Sequence, residues 1–310
     1  MPDPNPLAAH SAHTSPPAAT HRVEELSDGR LRAAAPAKVN LSLLVHGRRD
    51  DGFHELTSLV TFADVADILE LHPGAGHALH VSGPTAGQID GANLIDRAAT
   101  RLRALSPTVR LGDVTLEKRL PVGAGLGGGS ADVAAYLRLV RAANPDLPEA
   151  IDWGDLSATL GADVPVCLAG VPCIMTGKGE QLTPVRISAR AAVLANPGIH
   201  VNTGAVFHAL AAAPMARDAD LTSRLDDALV VGRNHLEAPA RHVAPGIGDA
   251  RQALEERPEV TDVFLSGSGA TYVGVTSDEL GATAACAALR AAHPTWWIEA
   301  VTLAGTSGEE

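Results

Sequence analysis

Residues 121–135 read PVGAGLGGGSADVAA, and five of the seven positions from Gly123 to Gly129 are glycine. A tight turn needs one or two glycines. Five let a run of backbone amides close on an anion with no Cβ in the way. The residues that follow, SADVAAYLRLVRAAN, place Val133, Leu137 and Val140 on one helical face. Such a helix adds the positive end of its dipole to the loop, and Ser130 adds a hydroxyl for a phosphate or its magnesium ion. Gly123, Gly125 and Gly128 also satisfy the dinucleotide pattern GxGxxG, but the strand before them ends in Glu-Lys-Arg instead of a buried apolar run. A Walker-type loop is excluded, because no Gly-Lys-Ser/Thr closes the run.

Upstream of the loop, DVTLEKRL alternates, with Val114, Leu116 and Lys118 on one face and Glu117 and Arg119 on the other. It reads as a strand half exposed at its end. NLIDRAATRLRAL spaces Leu94, Ile95, Ala98, Leu102 and Leu105 for a helix capped by Asn93. Residues 29–45 read as one strand and 56–71 as another, joined through the turn RRDDGFH. Downstream, a helix is expected over 155–160, then short strands in LGADVPVCLAG, VPCIMTGKGEQLTPV and AAVLANPG. Helices follow over 203–212, 220–231, 246–256 and 278–292, with a strand in VFLSGSGATYVGV and a last one over 297–303. No internal repeat is present. The mixture predicts an α+β fold in two domains, 29–185 and 186–310. A tail over 1–28, rich in Pro, Ala, Ser and Thr, is expected to be disordered.

The net charge of −12 excludes broad electrostatic affinity for nucleic acid. No apolar run is long enough to span a bilayer, and the first residues lack the basic start and apolar core of a secretory signal. Three cysteines, Cys167, Cys173 and Cys286, are odd in number and lack CxxC or zinc spacing, which points to a reducing cytoplasm. The 13 histidines show no HExxH or paired spacing, so no metal held by the protein alone is expected. Nothing in the sequence speaks to oligomeric state.

Only three of the 24 basic residues are lysines: Lys38, Lys118 and Lys178. Lys38 lies on the otherwise apolar strand PAKVNLSLL, where an unpaired ammonium is expensive to bury. A carboxylate or phosphate partner would account for it, as would snorkelling from a sheet edge. Asn40 shares its face. Lys118 either reaches a ligand or faces solvent at its strand end, and Lys178, in TGKGE, reads as a turn residue. Asp163, in LGADVP, is placed either to act on a ligand or to turn the chain before Pro165.

The loop resembles the phosphate loop of GHMP kinases, whose pattern is Pro-x-x-x-Gly-Leu-Gly-x-Ser. Matching pieces stand in the right order: PAKVNLSLLVHGRRDDGFHEL, NLIDRAA, LGADVPVCLAG with GKGEQLTPV, and FLSGSGATYVGV. Together they run from about Ala35 to the end of the chain. The AKxNL and GxHEL pieces resemble the branch that phosphorylates a cytidine diphosphate-linked methylerythritol in non-mevalonate isoprenoid synthesis. Homoserine and mevalonate kinases share the loop alone.

The resemblance implies a two-domain GHMP fold with its active site in the cleft between domains. ATP is the implied co-substrate, with Mg2+ on its phosphates. The nucleotide is implied to lie along Pro121, Val122, Gly123, Ala124, Gly125, Leu126, Gly127, Gly128, Gly129, Ser130 and Ala131, with Asn93 and Lys118 near the adenine. Asp163 is implied as general base and Lys38 as the residue that orients it. Asn40, Phe53, His54 and Phe207 are implied to hold the second substrate, Phe53 standing where relatives usually carry Tyr. Ser266, Gly267, Ser268 and Gly269 are implied to close beside the phosphates, or else to form a simple glycine turn.

Overall fold

One strand of 19 residues, His54–His72, carries most of the architecture. Its sequence, HELTSLVTFADVADILELH, is rich in β-branched and apolar residues, and most of them are buried. The computed structural model describes residues 21–147, 151–210 and 230–305. Within these the strands are β1 (Val23–Glu25), β2 (Leu31–Asn40), β3 (Leu44–Arg48), β4 (His54–His72), β5 (His77–Ser82), β6 (Gly112–Glu117), β7 (Cys173–Gly177), β8 (Gln181–Pro184), β9 (Arg190–Asn196), β10 (Val260–Leu265), β11 (Tyr272–Thr276) and β12 (Trp297–Leu303). The α-helices are α1 (Leu94–Leu105), α2 (Gly128–Ala143), α3 (Trp153–Leu160), α4 (Val164–Ala169), α5 (Thr203–Leu210), α6 (Glu237–Val243), α7 (Gly248–Glu255) and α8 (Glu279–Ala292). The fold is α+β.

The long strand β4 pairs with β2, β3, β6 and β7 along its length, and touches β12 at Ala63 opposite Leu303. Through β12 the sheet continues to β9, β11 and β10. Two apolar cores result. One packs α1 and α2 on the first part of the sheet, through residues such as Leu69, Val114, Leu102 and Tyr136. The other packs α6, α7 and α8 on the second, through Val193, Tyr272, Leu254 and Leu289. A third cluster joins them, setting Ala37, Val39, Leu120, Ala124 and Leu126 against Leu194, Phe264 and Val273. The glycine loop is thus seated on the seam.

Several sequence expectations are corrected. Of the tail expected to be disordered over 1–28, residues 21–28 are ordered: β1 pairs with β2 from Val23 opposite Ala33, and the ring of His21 meets Phe62 edge-on. Residues 1–20 lie outside the described residues, as do 211–212 and 220–229 of two expected helices. The stretch 29–45 is two strands, because its ladder with β4 is interrupted after Asn40, where the amides of Leu41 and Ser42 both donate to Leu59 O, and resumes with Leu44 opposite Thr57. VPVCLA, which reads as strand in sequence, is the helix α4, opened by Pro165 near its start and closed by Gly170 at φ 64°. VFLSGSGATYVGV is a hairpin, β10 and β11, with SGSG in its loop.

Lys118 is the largest surprise. It does not face solvent; it is buried, with its Nζ 2.5 Å from Asp67 Oδ2 and 2.8 Å from Asp132 Oδ2. Burial alone would lower its pKa, but the two carboxylates outweigh that and hold it raised. Burial and the charge of Asp67 push the Asp132 carboxyl well up. Asp67 Oδ1 also accepts the amides of Arg119 and Leu120, so the triad ties β4 to the entry of the glycine loop and the first turn of α2.

Breaking this triad on one side leaves two buried carboxylates without their cation. Lys118→Met is expected to destabilise the protein by about 3–5 kcal/mol in urea unfolding. Lys118→Met with Asp132→Leu is expected to recover most of that, since Asp67 keeps its two amide donors. A single variant as stable as the wild type would contradict the triad.

Candidate active site

The β2–β4 pairing is bulged between Pro36 and Lys38, with the extra residues on β4, and the alternation of β2 inverts there. Ala33 and Ala35 face the core beneath α2, while Ala37 and Val39 face the seam. Lys38 and Asn40 are thereby turned to the α2 side, toward the glycine loop. The bulge also frees the Lys38 amide, which donates to Leu126 O at 2.9 Å. Lys38 is 4% exposed. Its ammonium stands 3.1 Å from Asp163 Oδ2 and donates to Asn40 Oδ1 at 2.7 Å. Asn40 Nδ2 donates to Ser58 Oγ, which donates in turn to Ser42 O. Asp163, just before α4, is one-third exposed and makes no capping bond to the helix it precedes. The carboxylate is therefore held by a buried cation on one side and open to the cleft on the other.

The loop above this pair is built as an anion cradle. Gly123, Gly125 and Gly127 have φ of 65°, 75° and 63°, a region that favours glycine. Gly127 occupies the cap position of α2 with no side-chain capping bond, so the 16-residue helix presents its first amides uncapped by a side chain. The SGSG loop grips the other side: Ser266 Oγ donates to Gly125 O at 3.0 Å, and the Thr271 amide donates to Ala124 O. Ser266 Oγ also accepts the Asn40 amide at 3.2 Å, which ties the loop back to the Lys38 strand.

A cleft of about 1050 Å³ runs past these groups. Lys38, Asn40, Gly123 to Gly125, Gly127 to Ser130, Asp163, Gly267 and Ser268 line one end, and Phe53, His54 and Phe207 the other. The ring of His54 stacks on Phe207 with centroids 4.8 Å apart and planes 26° apart. Burial and then the charge of Arg48 lower the His54 pKa. At neutral pH the imidazole is thus uncharged and offers one donor and one acceptor. Phe53, 55% exposed, follows the turn expected at RRDDGFH, where Gly52 has φ 87° and the Phe53 amide donates to Asp51 Oδ1.

Some expected residues stand apart from the cleft. Asn93 caps α1, accepting the Ile95 amide at 2.9 Å, and Lys118 belongs to the buried triad under Gly128. Pro121, Val122, Leu126, Ala131, Ser266 and Gly269 support the lining without being part of it. Other contributors carry no signal in the sequence: Asn234 donates to Leu265 O and Gly267 O, and Thr203 Oγ1 lies 2.8 Å from Ser268 Oγ. Lys178 and Arg48 also line the cleft; they lie inside the matching stretches GKGEQLTPV and HGRRDDGFHEL, but neither was expected as a site residue.

Among the described residues no group of three or more His, Cys, Asp or Glu could hold a metal. The oxygens at the helix end, the Ser130 hydroxyl and the Asp163 carboxylate, are hard donors. They fit a Mg2+ ion that arrives on a nucleotide's phosphates and takes few ligands from the protein.

Two glycine variants test the cradle. A Cβ on Gly125 would meet Ser266 O at 2.3 Å and Gly269 O at 2.9 Å, whereas one on Gly129 meets only Leu94 Cδ1 at 3.8 Å. Gly125→Ala is expected to lose about 2–4 kcal/mol of stability, from the clash and the left-handed backbone together. Gly129→Ala, inside a helix, is expected to be neutral or to gain up to about 1 kcal/mol. Urea denaturation of both measures it, and equal effects would contradict the described packing.

The comparisons with known proteins agree with this geometry. Residues 93–171 match the GHMP kinases N terminal domain. The 4-diphosphocytidyl-2-C-methyl-D-erythritol kinase of Rhodopseudomonas palustris is 45% identical over 293 residues, covering 88% of this chain and 97% of that protein. A crystal structure of 4-(cytidine 5'-diphospho)-2C-methyl-D-erythritol kinase superposes with a TM-score of 0.70 at 35% identity, over 89% of this chain and all of the other. A homoserine kinase from Cytophaga hutchinsonii shares the fold, with a TM-score of 0.64 at 17% identity, over 89% of this chain and 95% of that one. With a long glycine loop over a buried lysine paired to a cleft-facing aspartate, and near-complete coverage of such relatives, the chain belongs to the 4-diphosphocytidyl-2-C-methyl-D-erythritol kinase family of GHMP kinases.

Proposed function

We propose that this chain transfers the γ-phosphoryl group of ATP to the 2-hydroxyl of 4-diphosphocytidyl-2-C-methyl-D-erythritol, giving the 2-phosphate and ADP. The observation that carries the reading is the Lys38–Asp163 pair, 3.1 Å apart, beneath the glycine loop and at one end of the aromatic-lined cleft. The reaction belongs to non-mevalonate isoprenoid synthesis, and we place it in the cytoplasm, where ATP is supplied.

Phosphoryl transfer asks the protein mainly for positioning and for positive potential around the moving group. The amides of the glycine loop and the first turn of α2 cradle the nucleotide's phosphates. The Ser130 hydroxyl would help hold a Mg2+ ion carried on those phosphates, which would neutralise part of their charge. Asp163 accepts the proton of the attacking hydroxyl. Lys38 keeps that carboxylate aimed, and its own charge favours the developing negative charge on the transferring group. Asn40 fixes the ammonium from below through Ser58.

At the far end, Phe53 and Phe207 supply π faces for the cytosine ring, and His54 reads its polar edge. A neutral imidazole suits this reading, because it can donate to one ring atom and accept from the exocyclic amine. Sites built on such hydrogen bonds reject a mismatched base because buried polar groups are left unpaired.

The uridine analogue tests the assignment. Wild-type kcat/KM for the cytidine-linked substrate is expected to exceed that for its uridine counterpart at least about tenfold. His54→Ala is expected to shrink the ratio. Phe53→Ala and Phe207→Ala are expected to weaken both analogues alike, since stacking ignores base identity. Equal use of the two by the wild type, or faster turnover of homoserine or mevalonate, would overturn the reading.

A further inference from the structure

We propose that Arg138, which lies outside the cleft, is a positioning residue for the Lys38–Asp163 pair. It fastens the elements that carry the pair to the helix that carries the glycine loop, and so sets the rate of phosphoryl transfer and not the affinity for either substrate. This deepens the reading above and rests on it.

The need for such a link follows from α4. Asp163 stands at the cap position of a helix of six residues, with no side-chain capping bond. A helix that short does not hold itself in water. The Asp163 carbonyl accepts the Cys167 amide at 3.1 Å. The carbonyl of Cys167, at the negative end of the same helix, accepts Arg138 Nη1 at 2.9 Å. Two hydrogen bonds on one residue thus run from the guanidinium to the backbone of the base. The other arm of the fork, Nη2, donates at 3.3 Å to Ala34 O, four residues before Lys38 on β2. Arg138 itself lies on α2, about 12 Å along the helix from Ser130. One side chain therefore joins α2, α4 and β2, the elements that bring the cradle, the base and the ammonium together.

The chemistry of the position argues for a role beyond packing. Arg138 makes no ion pair among the described residues, and its Nε is buried with no hydrogen-bond partner there. A guanidinium in such a place is costly. Burial lowers its pKa to about 10, which leaves it charged at neutral pH. Its neighbours on the helix, Leu137 and Leu139, are buried apolar residues, and a third would carry no such cost. What an apolar side chain cannot do is donate to carbonyls on two different elements, as the planar fork does. The N-terminal segment closes over the same place. The His21 ring packs on Gly170, the residue that ends α4, so closely that a Cβ there would meet its Cγ at 2.6 Å. Burial and then the charge of Arg138 lower the His21 pKa to about 3, so at neutral pH the ring adds no second cation.

Steady-state kinetics of Arg138→Met and Arg138→Lys in the full chain, with amide hydrogen exchange on the same proteins, test the proposal. In Arg138→Met, kcat for the cytidine-linked substrate is expected to fall about ten- to hundredfold, while KM for that substrate and for ATP each stay within about twofold. Arg138→Lys, which keeps the charge but loses the fork, is expected to recover only part of the rate. Amides in 164–169 are expected to exchange at least about tenfold faster in Arg138→Met, and those of β6 to change less than about twofold. A wild-type kcat in either variant overturns the proposal. So does a fall in kcat matched by an equal loss of ATP-binding sites, which would mark a role in folding alone. Should Arg138→Met not fold, the lysine variant decides by the same split. Unchanged exchange in 164–169 overturns the link whatever the substrate proves to be, whereas a wild type that does not turn over the cytidine-linked alcohol overturns the substrate reading alone.

Discussion

A lysine only 4% exposed has to have its ammonium paired, and the structure pairs Lys38 with Asp163, the one carboxylate among the described residues that lines the cleft. Much of the site follows from that constraint. The bulge in the β2–β4 pairing stands at the point where Lys38 and Asn40 must leave the alternation of their strand. Asn40 and Ser58 supply the remaining acceptor and its support, so the ammonium has a fixed position instead of a range of rotamers. Asp163 in turn is held in place by the ammonium without being buried, which is the placement a base needs before its substrate arrives.

The second organising element is the seam between the two apolar cores. Leu120, Ala124 and Leu126 of the glycine loop pack there against Leu194, Phe264 and Val273. The apolar residues interleaved with the glycines therefore anchor the loop, while the glycines stay open to the anion. The Lys118–Asp67–Asp132 triad fixes the same loop from the opposite side, at its entry and at the first turn of α2. Positioning is thus shared by packing and by a buried polar network, each fastening one flank of the cradle.

How much of this is legible in the sequence depends on range. Local signals are clear: the Asn93 cap, the turn before Phe53, the last strand at Trp297–Leu303 and the loop-to-helix junction all rest on residues a few positions apart. The helix α4 reads as strand because VPVCLA is a short apolar run with β-branched residues, yet Pro165 and Gly170 are its punctuation. Contacts at long separation leave no trace. Asn40 meets Ser266 across 226 positions and Lys118 meets Asp67 across 51, and no periodicity announces either. A surface position for Lys118 was therefore as readable as a buried one. Lys38 is the exception, because a charge on an apolar strand demands a partner even when the sequence does not say which.

The central claim, that Asp163 held by Lys38 takes the proton in phosphoryl transfer, is tested most directly by rapid-quench single turnover with Asp163→Asn at saturating ATP. The account predicts ATP affinity close to that of the wild type and a transfer rate lower by about 10²–10⁴-fold, the range expected for a lost general base. Transfer within about threefold of the wild-type rate would contradict it.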